Sequence, residues 1–269
     1  MNLLLLESAE LEEAPNDLFL ARLAGRRAEH VAEVLRAEPG QELRVGVVAE
    51  GDAAPWPAGA RGRGRVLETS ADRLLLEIAL AAAPLEEEGP RIDLALALPR
   101  PQGLHRVLQA AAVMGVGRID LFRSYRVEKS YFSSPSLRAD EIRRQLLLGA
   151  EQGLRTRLPP VAIHPRLRPF LDDPGLLAPA DLGLLAHPGG LPIEAAPPFA
   201  ERRVVLAIGP EGGFIDFEVE AFKARGFLAV DLGPWVLRSE TAVVAGLAQL
   251  GLLARARRPG EAGTSLFAW

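Results

Sequence analysis

The residues best suited to chemistry stand in glycine-rich turns toward the C-terminal end of the chain. Val204-Val205-Leu206-Ala207-Ile208-Gly209-Pro210-Glu211-Gly212-Gly213-Phe214 reads as an apolar strand feeding a glycine turn before a helix. Such a turn lets a ligand approach the main chain, and N–H groups at a helix start can hold it. Asp231-Leu232-Gly233-Pro234-Trp235-Val236-Leu237-Arg238-Ser239-Glu240-Thr241 is a second turn of this kind. His187-Pro188-Gly189-Gly190, after the apolar run Leu182 to Ala186, is expected to be a third. A tight strand-to-helix connection with no ligand explains any one of them, whereas three at the carboxyl edge of one sheet make a pocket.

A dinucleotide site is the obvious competitor, because Asp231 stands about 20 residues beyond the first turn, where the ribose-binding acid belongs. Pro210-Glu211 occupies the place of the second glycine, however, and a carboxylate there repels phosphate. Only 60 residues follow Gly209, too few for a nucleotide domain that begins at this turn. A cofactor without phosphates fits better.

Those turns need a sheet to hold them. Ile92 to Leu98, Ile119 to Phe122, Val161 to His164, Leu182 to Ala186, Val204 to Ile208 and Leu228 to Leu232 read as strands. They alternate with helices expected over Gly103 to Val116, Asp140 to Gln152, Asp216 to Arg225 and Ser239 to Ala254, a pattern for a mainly parallel sheet covered on both faces. The first of these helices carries Leu104, Val107, Leu108, Ala111 and Met114 at helical spacing. The last is apolar nearly all round and is expected to be buried, with Arg255, Arg257 and Arg258 suiting its C-terminal dipole before Pro259-Gly260. The first 82 residues differ, with short strands at Asn2 to Leu6, Glu42 to Val48, Arg63 to Glu68 and Leu74 to Leu80. One helix, Gly25 to Ala37, is expected among them with Val31, Val34 and Leu35 on one face, suggesting a small β-barrel. The Pro-flanked acidic run 83–90 is the expected linker between domains at 1–82 and 91–269.

Composition narrows the chemistry. The chain has 269 residues, 48% of them apolar and 25% charged, enough to bury a core. Cysteine is absent, which removes disulfides, thiol nucleophiles and Cys-based metal sites, and four scattered histidines leave no metal expected. The apolar start Leu3 to Leu6 and the uncharged stretch Thr241 to Ala254 are both short for a leader or a membrane span, so a cytoplasmic protein is expected. The net charge is −4, yet from Arg100 to Arg168 thirteen basic residues face five acidic ones, a local +8. Two accounts stand: an arginine-rich solvated face, or a surface that contacts phosphates.

Ile208-Gly209-Pro210-Glu211-Gly212-Gly213-Phe214, then Leu232-Gly233-Pro234 and Leu237-Arg238-Ser239-Glu240-Thr241-Ala242, closely resemble the C-terminal signature of the RsmE family within the SPOUT methyltransferases. Ser124 to Ser130, Glu151 to Arg157 and His30 to Arg36 look like further family motifs, so the resemblance covers nearly the whole chain. It departs at Trp235, where arginine is usual, at Gly153, where serine is common, and at Ala112-Val113-Met114, where an acidic Glu-Leu is often seen. The resemblance implies a two-domain α/β protein, a PUA-like RNA-binding β-barrel followed by a SPOUT α/β domain with a deep trefoil knot. It further implies a homodimer that binds S-adenosylmethionine in the knot loops and methylates N3 of a specific uridine in 16S ribosomal RNA of the small subunit. Cofactor contacts are then expected from His187, Ile208, Gly209, Pro210, Glu211, Gly212, Gly213, Leu232, Gly233, Leu237 and Thr241. RNA contacts are expected from His30, Arg36, Arg100, Arg123, Arg126, Lys129, Tyr131, Arg143, Arg144, Gln152 and Arg155.

Uridine N3 carries a proton and attacks only as an anion. Arg126, Arg155 and Arg238 are candidates to stabilise that anion, and Glu211 or Glu240 to take the proton. Either glutamate is equally explained as a favourable charge at a helix start. N3 also lies on the Watson–Crick edge, so the target must be unpaired, and Tyr131 and Phe132 are candidates to stack on it. The rival reading of another class is a non-catalytic RNA-binding or ribosome-assembly protein that keeps the cofactor fold.

Overall fold

The computed structural model describes residues 2–50, 56–81, 91–199 and 202–256. Contacts divide the chain into two compact units. The first takes Met1–Glu87, Leu108–Gly115 and Ala139–Pro160; the second takes Glu88–Val107, Val116–Arg138 and Val161–Trp269. The expected division is linear along the chain, whereas contacts group 108–115 and 139–160 with the N-terminal residues. The expected linker, 83–90, lies outside the described residues, as do Arg257, Arg258 and Pro259-Gly260.

In the first unit, strands β1 (Leu4–Leu6), β2 (Leu11–Ala14), β3 (Leu18–Leu23), β4 (Glu42–Val47), β6 (Arg61–Thr69) and β7 (Leu74–Leu80) form one sheet in the order β1-β4-β6-β7-β3-β2. Only β1 and β4 run parallel. Alternation sets the faces: Leu74, Leu76 and Ile78 of β7 are fully buried and join Leu6, Val45 and Val66 in one core. Strands β2 and β3, not expected from the sequence, are joined by the three residues 15–17, of which Asn16 and Asp17 have positive φ (63° and 59°), a conformation Asn and Asp tolerate better than most residues. The expected helix over Gly25 to Ala37 is one α turn, α1 (Arg26–Glu29), followed by a π turn over His30–Val34. Ala28, Val31 and Ala37 fill the core, and Val34 and Leu35 stay exposed because the wide turn ends at Arg36, whose φ is +50°.

Helix α2 (Pro101–Val113) has its last residues in this unit, where helix α3 (Ala139–Gly153) packs on them. The approach is close. A Cβ at Gly149 would lie 2.3 Å from the Gln109 carbonyl oxygen, and one at Gly153 would lie 2.8 Å from Val113 Cα. Two departures from the family pattern, Gly153 and Val113, therefore face each other. Buried Glu151 of α3 takes a bidentate pair from Arg26 at 2.9 and 3.0 Å, and its carbonyl accepts the Leu3 N–H at 3.1 Å. Strands β5 (Ala49–Glu50) and β10 (Arg157–Leu158) form a separate parallel pair.

The second unit is a six-stranded sheet, all parallel, in the order β11-β9-β8-β13-β12-β14. Its strands are β8 (Ile92–Ala97), β9 (Ile119–Phe122), β11 (Val161–His164), β12 (Leu182–Pro192), β13 (Val204–Ile208) and β14 (Phe227–Asp231). Both β8 and β13 are buried along their whole length, which accounts for unbroken apolar runs rather than alternation. Helices α4 (Leu167–Asp172), α5 (Asp216–Ala224) and α6 (Ser239–Ala256) complete the unit.

Three expectations need correction. His187-Pro188-Gly189-Gly190 is not a free loop but a bulge inside β12, because the strand resumes pairing with Leu191 opposite Val230. Helix α6 is buried on one face only: Val243, Gly246, Leu247 and Leu250 pack inward, while Val244 and Leu252 are exposed. Met114, one residue beyond the end of α2 and expected on the buried face of that helix, is likewise exposed.

Gly149→Ala forces a Cβ onto a carbonyl and should lower stability by about 1–3 kcal/mol, whereas Gly251→Ala on α6, with only the tip of Arg255 near at 3.9 Å, should be neutral or mildly stabilising. Urea denaturation of the two variants checks the contrast; equal midpoints would contradict the close approach. Glu10 provides a pH signature. Burial would raise its carboxyl, but the Arg27 guanidinium and the Glu7 N–H outweigh burial and hold it below the ordinary glutamate value. Its contribution is therefore present above about pH 4.3 and is lost as pH falls through the lowered value. Glu10→Gln should flatten the acid limb of the stability profile.

Candidate functional site

Because the sheet of the second unit is parallel, Ala97, Phe122, Ile208 and Asp231 all end their strands at one edge. The turn after β13 is closed by the Gly213 N–H donating to the Pro210 carbonyl at 2.8 Å, with Gly213 at φ +73°, a conformation costly for other residues. Phe214 anchors the far side through a stack on Phe122 at 6.3 Å and a tilted contact with Phe222 at 5.4 Å between centroids. Two side chains lock the turn from above. Ser239, the first residue of α6, donates its hydroxyl to the Gly209 carbonyl at 3.1 Å, and Arg126 donates to the Gly212 carbonyl. Space for Cβ atoms is short at Gly209 and Gly212, where the Phe214 ring and the Arg126 side chain each lie 3.1 Å away, so these glycines serve the chain's own packing.

Glu218 in α5 holds the arrangement and was not singled out by the sequence. Its side chain is only 2% exposed. It accepts the Ser124 hydroxyl at 3.1 Å and the N–H groups of Tyr125 at 2.8 Å and Ile215 at 3.1 Å. That fastens the segment after β9 to the start of α5 and sets Arg126 against the glycine turn. The one available signal was its place three residues after the residue preceding α5, the spacing of a helix-capping glutamate.

The two candidate proton acceptors are both paired. Glu211 lies 3.6 Å from Arg100 Nε and accepts the Arg100 N–H at 3.4 Å, and Glu240 lies 3.6 Å from the Arg106 guanidinium. Arg238 is exposed and has no side-chain partner among the described residues.

The second glycine turn is tied down by Asp231. Its carboxylate accepts the N–H of Gly233 at 2.9 Å and that of Gly189 in the β12 bulge at 3.2 Å. Those two bonds hold its carboxyl below the ordinary aspartate value. Gln249 of α6 donates to the Leu232 carbonyl at 2.9 Å. Here lies an open cleft of about 600 Å³ lined by Gly190, Asp231 to Trp235, and Gln249, Leu252 and Leu253 among others. Of the residues expected to bind a cofactor, Leu232 and Gly233 line it; His187, Ile208 to Gly213, Leu237 and Thr241 do not.

Six of the thirteen basic residues of the run have a carboxylate partner. Arg100 and Arg106 pair as above, Arg118 pairs with Asp120, Arg143 with Glu7, Arg144 with Glu141 and Arg168 with Asp172. Its members also fall in both units, so the run is not one continuous patch in sequence order. In the second unit, Arg123 and Lys129 make no ion pair among the described residues. In the first, Arg155 lies against Gly115, where a Cβ would sit 1.9 Å from its guanidinium, Gln152 accepts the Asn2 side-chain N–H at 2.9 Å, and Arg36 is exposed. His30 is partly buried, and burial and Arg26 lower its pKa. Tyr131 and Phe132 are half-buried, and the Tyr131 hydroxyl donates to Glu128 at 3.3 Å.

Known proteins share this architecture. The RNA methyltransferase domain family matches residues 86–251. A ribosomal RNA small subunit methyltransferase E from Treponema pallidum is 26% identical over 268 residues, spanning 92% of this chain and 90% of that protein. The crystal structure of a ribosomal RNA small subunit methyltransferase E from Neisseria gonorrhoeae, bound to S-adenosyl methionine, matches with a TM-score of 0.74 at 22% identity, covering 94% of this chain and 98% of that one. A protein from Legionella pneumophila in complex with the cofactor SAM matches with a TM-score of 0.71 at 25% identity, covering 93% and 96%.

Glu218→Gln turns one acceptor oxygen into a donor facing other donors. It should cost about 1.5–3 kcal/mol of stability, read by urea denaturation, while Glu220→Gln on the exposed face of α5 should cost almost nothing.

Proposed function

The chain belongs to the RNA methyltransferase domain family, and we propose that it transfers a methyl group from S-adenosylmethionine to N3 of a specific uridine in small-subunit ribosomal RNA. The observation that carries this reading is the glycine turn Gly209–Gly213, locked by Ser239 and Arg126 at the carboxyl edge of a parallel sheet in a chain of that family. In the same proposal the N-terminal sheet is a PUA-like barrel that holds RNA, and the second unit carries a deep trefoil knot. The exposed apolar residues Val244 and Leu252 of α6, together with Trp235 and Val236, support a homodimer in which a second copy covers them.

The residues present suit S-adenosylmethionine better than a dinucleotide. The cleft beside Leu232 and Gly233 contains the carboxylates Glu194 and Asp231 and no lysine or arginine, a lining that disfavours phosphate and tolerates a cation. Leu232, Gly233 and the main chain of Ile208 to Gly213, with His187, Leu237 and Thr241, would hold the cofactor. When bound, it supplies a methyl group already activated on a positively charged sulfur. The chain itself then has to orient the uridine, exclude water and manage one proton. Arg238, unpaired and two residues before Glu240, stabilises the negative charge that spreads from N3 to the neighbouring carbonyl oxygens. Glu211 or Glu240 takes the N3 proton, each kept oriented by its arginine.

Arg238→Ala should lower the methylation rate of assembled small subunits about a hundred- to a thousandfold while leaving cofactor affinity by calorimetry close to wild type. Normal methylation by that variant would remove Arg238 from the site. A wild-type protein that binds small subunits yet yields no methylated uridine by nucleoside mass spectrometry would favour the non-catalytic RNA-binding reading.

A further inference from the structure

Beside the locked glycine turn, two aromatic rings stand in solvent on a main chain that is held in place. Tyr125 is 80% exposed and Phe217 is 66% exposed. One buried carboxylate anchors both. Glu218 accepts the Tyr125 N–H at 2.8 Å, and Phe217 directly precedes Glu218 in the first turn of α5. Single exposed apolar side chains are routine, but here two large exposed rings are carried on main chain held by one buried carboxylate. The charge around them indicates the chemistry of a ligand. Arg123, Arg126 and Lys129 lie within four residues of Tyr125, against Glu128 and Asp216. Arg123 and Lys129 make no ion pair among the described residues, Arg126 bonds a neutral carbonyl, and Glu128 accepts the Tyr131 hydroxyl.

We propose that Tyr125 and Phe217 form a two-ring platform on which unpaired bases flanking the target nucleotide stack, with Arg123, Arg126 and Lys129 serving the phosphates of the same strand. This rests on the RNA methyltransferase reading. The platform supplies what that reaction needs, since every base has a π face and a strand whose N3 is reachable is already unpaired. The rings expected to stack from sequence, Tyr131 and Phe132, are half-buried, and Tyr125 and Phe217 offer more open faces.

The test uses the full-length protein and a fluorescein-labelled single-stranded oligouridylate, read by anisotropy at fixed salt. Tyr125→Ala and Phe217→Ala should each weaken binding about five- to a hundredfold. Tyr125→Phe should restore it, because the ring is kept. Cofactor affinity and thermal midpoint should stay at wild-type values, since both rings are exposed. An alanine variant that binds the oligonucleotide like wild type overturns the platform. So does loss of RNA binding that appears only together with dissociation of an oligomer in sedimentation, which would make the patch a protein interface. If the ring variants weaken binding while wild-type protein methylates no small subunits, the platform stands and the catalytic reading fails. If wild type methylates and both variants bind and methylate normally, the platform fails and the catalytic reading stands.

Discussion

A carboxylate leaves water only where donors replace the lost hydration, and Glu218 is surrounded by three of them. Two come from the segment after β9 and one from the start of α5, so satisfying one charge brings together parts of the chain 94 residues apart. The consequences run outward in order. With Tyr125 pinned, Arg126 reaches the Gly212 carbonyl; with Gly212 held, the turn that begins at Gly209 is closed by Gly213 and by Ser239 of α6. Removing a partner from such a site costs more than its hydrogen bonds are worth, because the remaining charge stays buried. This edge of the sheet is thus held by a local, electrostatic interaction as well as by its glycine turn.

The parallel sheet could be read almost strand by strand, because strands buried on both faces leave unbroken apolar runs bounded by glycine and proline. Ile119–Phe122 and Val204–Ile208, buried throughout, match their expected limits for that reason. What stayed hidden depended on partners remote in sequence. His187 to Gly190 looks like a loop by composition, and only the presence of Val230 alongside makes it a bulge in a continuing strand. Helix α6 is apolar enough to be buried all round, and composition alone does not say that one side lacks a neighbour. The hairpin of β2 and β3 did carry a signal in Asn16-Asp17, a pair suited to positive φ, but flanking strands rich in glutamate obscured it. At the site, the glycine turns and Arg126 were visible as types and spacing, whereas Glu218 looked like any glutamate in a helix.

Counting charges along the chain also needed correction by geometry. The +8 between Arg100 and Arg168 shrinks once Arg100, Arg106, Arg143 and Arg168 are matched to carboxylates that lie outside the run. The imbalance was partly an artefact of where the window was drawn. Long-range attraction for RNA then depends on the cations left uncompensated, and these include Arg123 and Lys129 next to the exposed rings.

The first compact unit needs residues up to Pro160, although most of it is made by residue 87. Glu151 must be present before Arg26 has its buried partner and before Leu3 can donate to the Glu151 carbonyl. A chain emerging from the ribosome therefore synthesises the N-terminal sheet long before the helix that completes it. During that interval the nascent sheet lacks α3 against it and waits through the synthesis of more than sixty residues. Contacts of such sequence separation slow folding, so the delay is written into the order of translation. Cutting the gene at the apparent junction near residue 90 would leave the N-terminal product without 108–115 and 139–160, and would strand those segments on the C-terminal product without the sheet they complete.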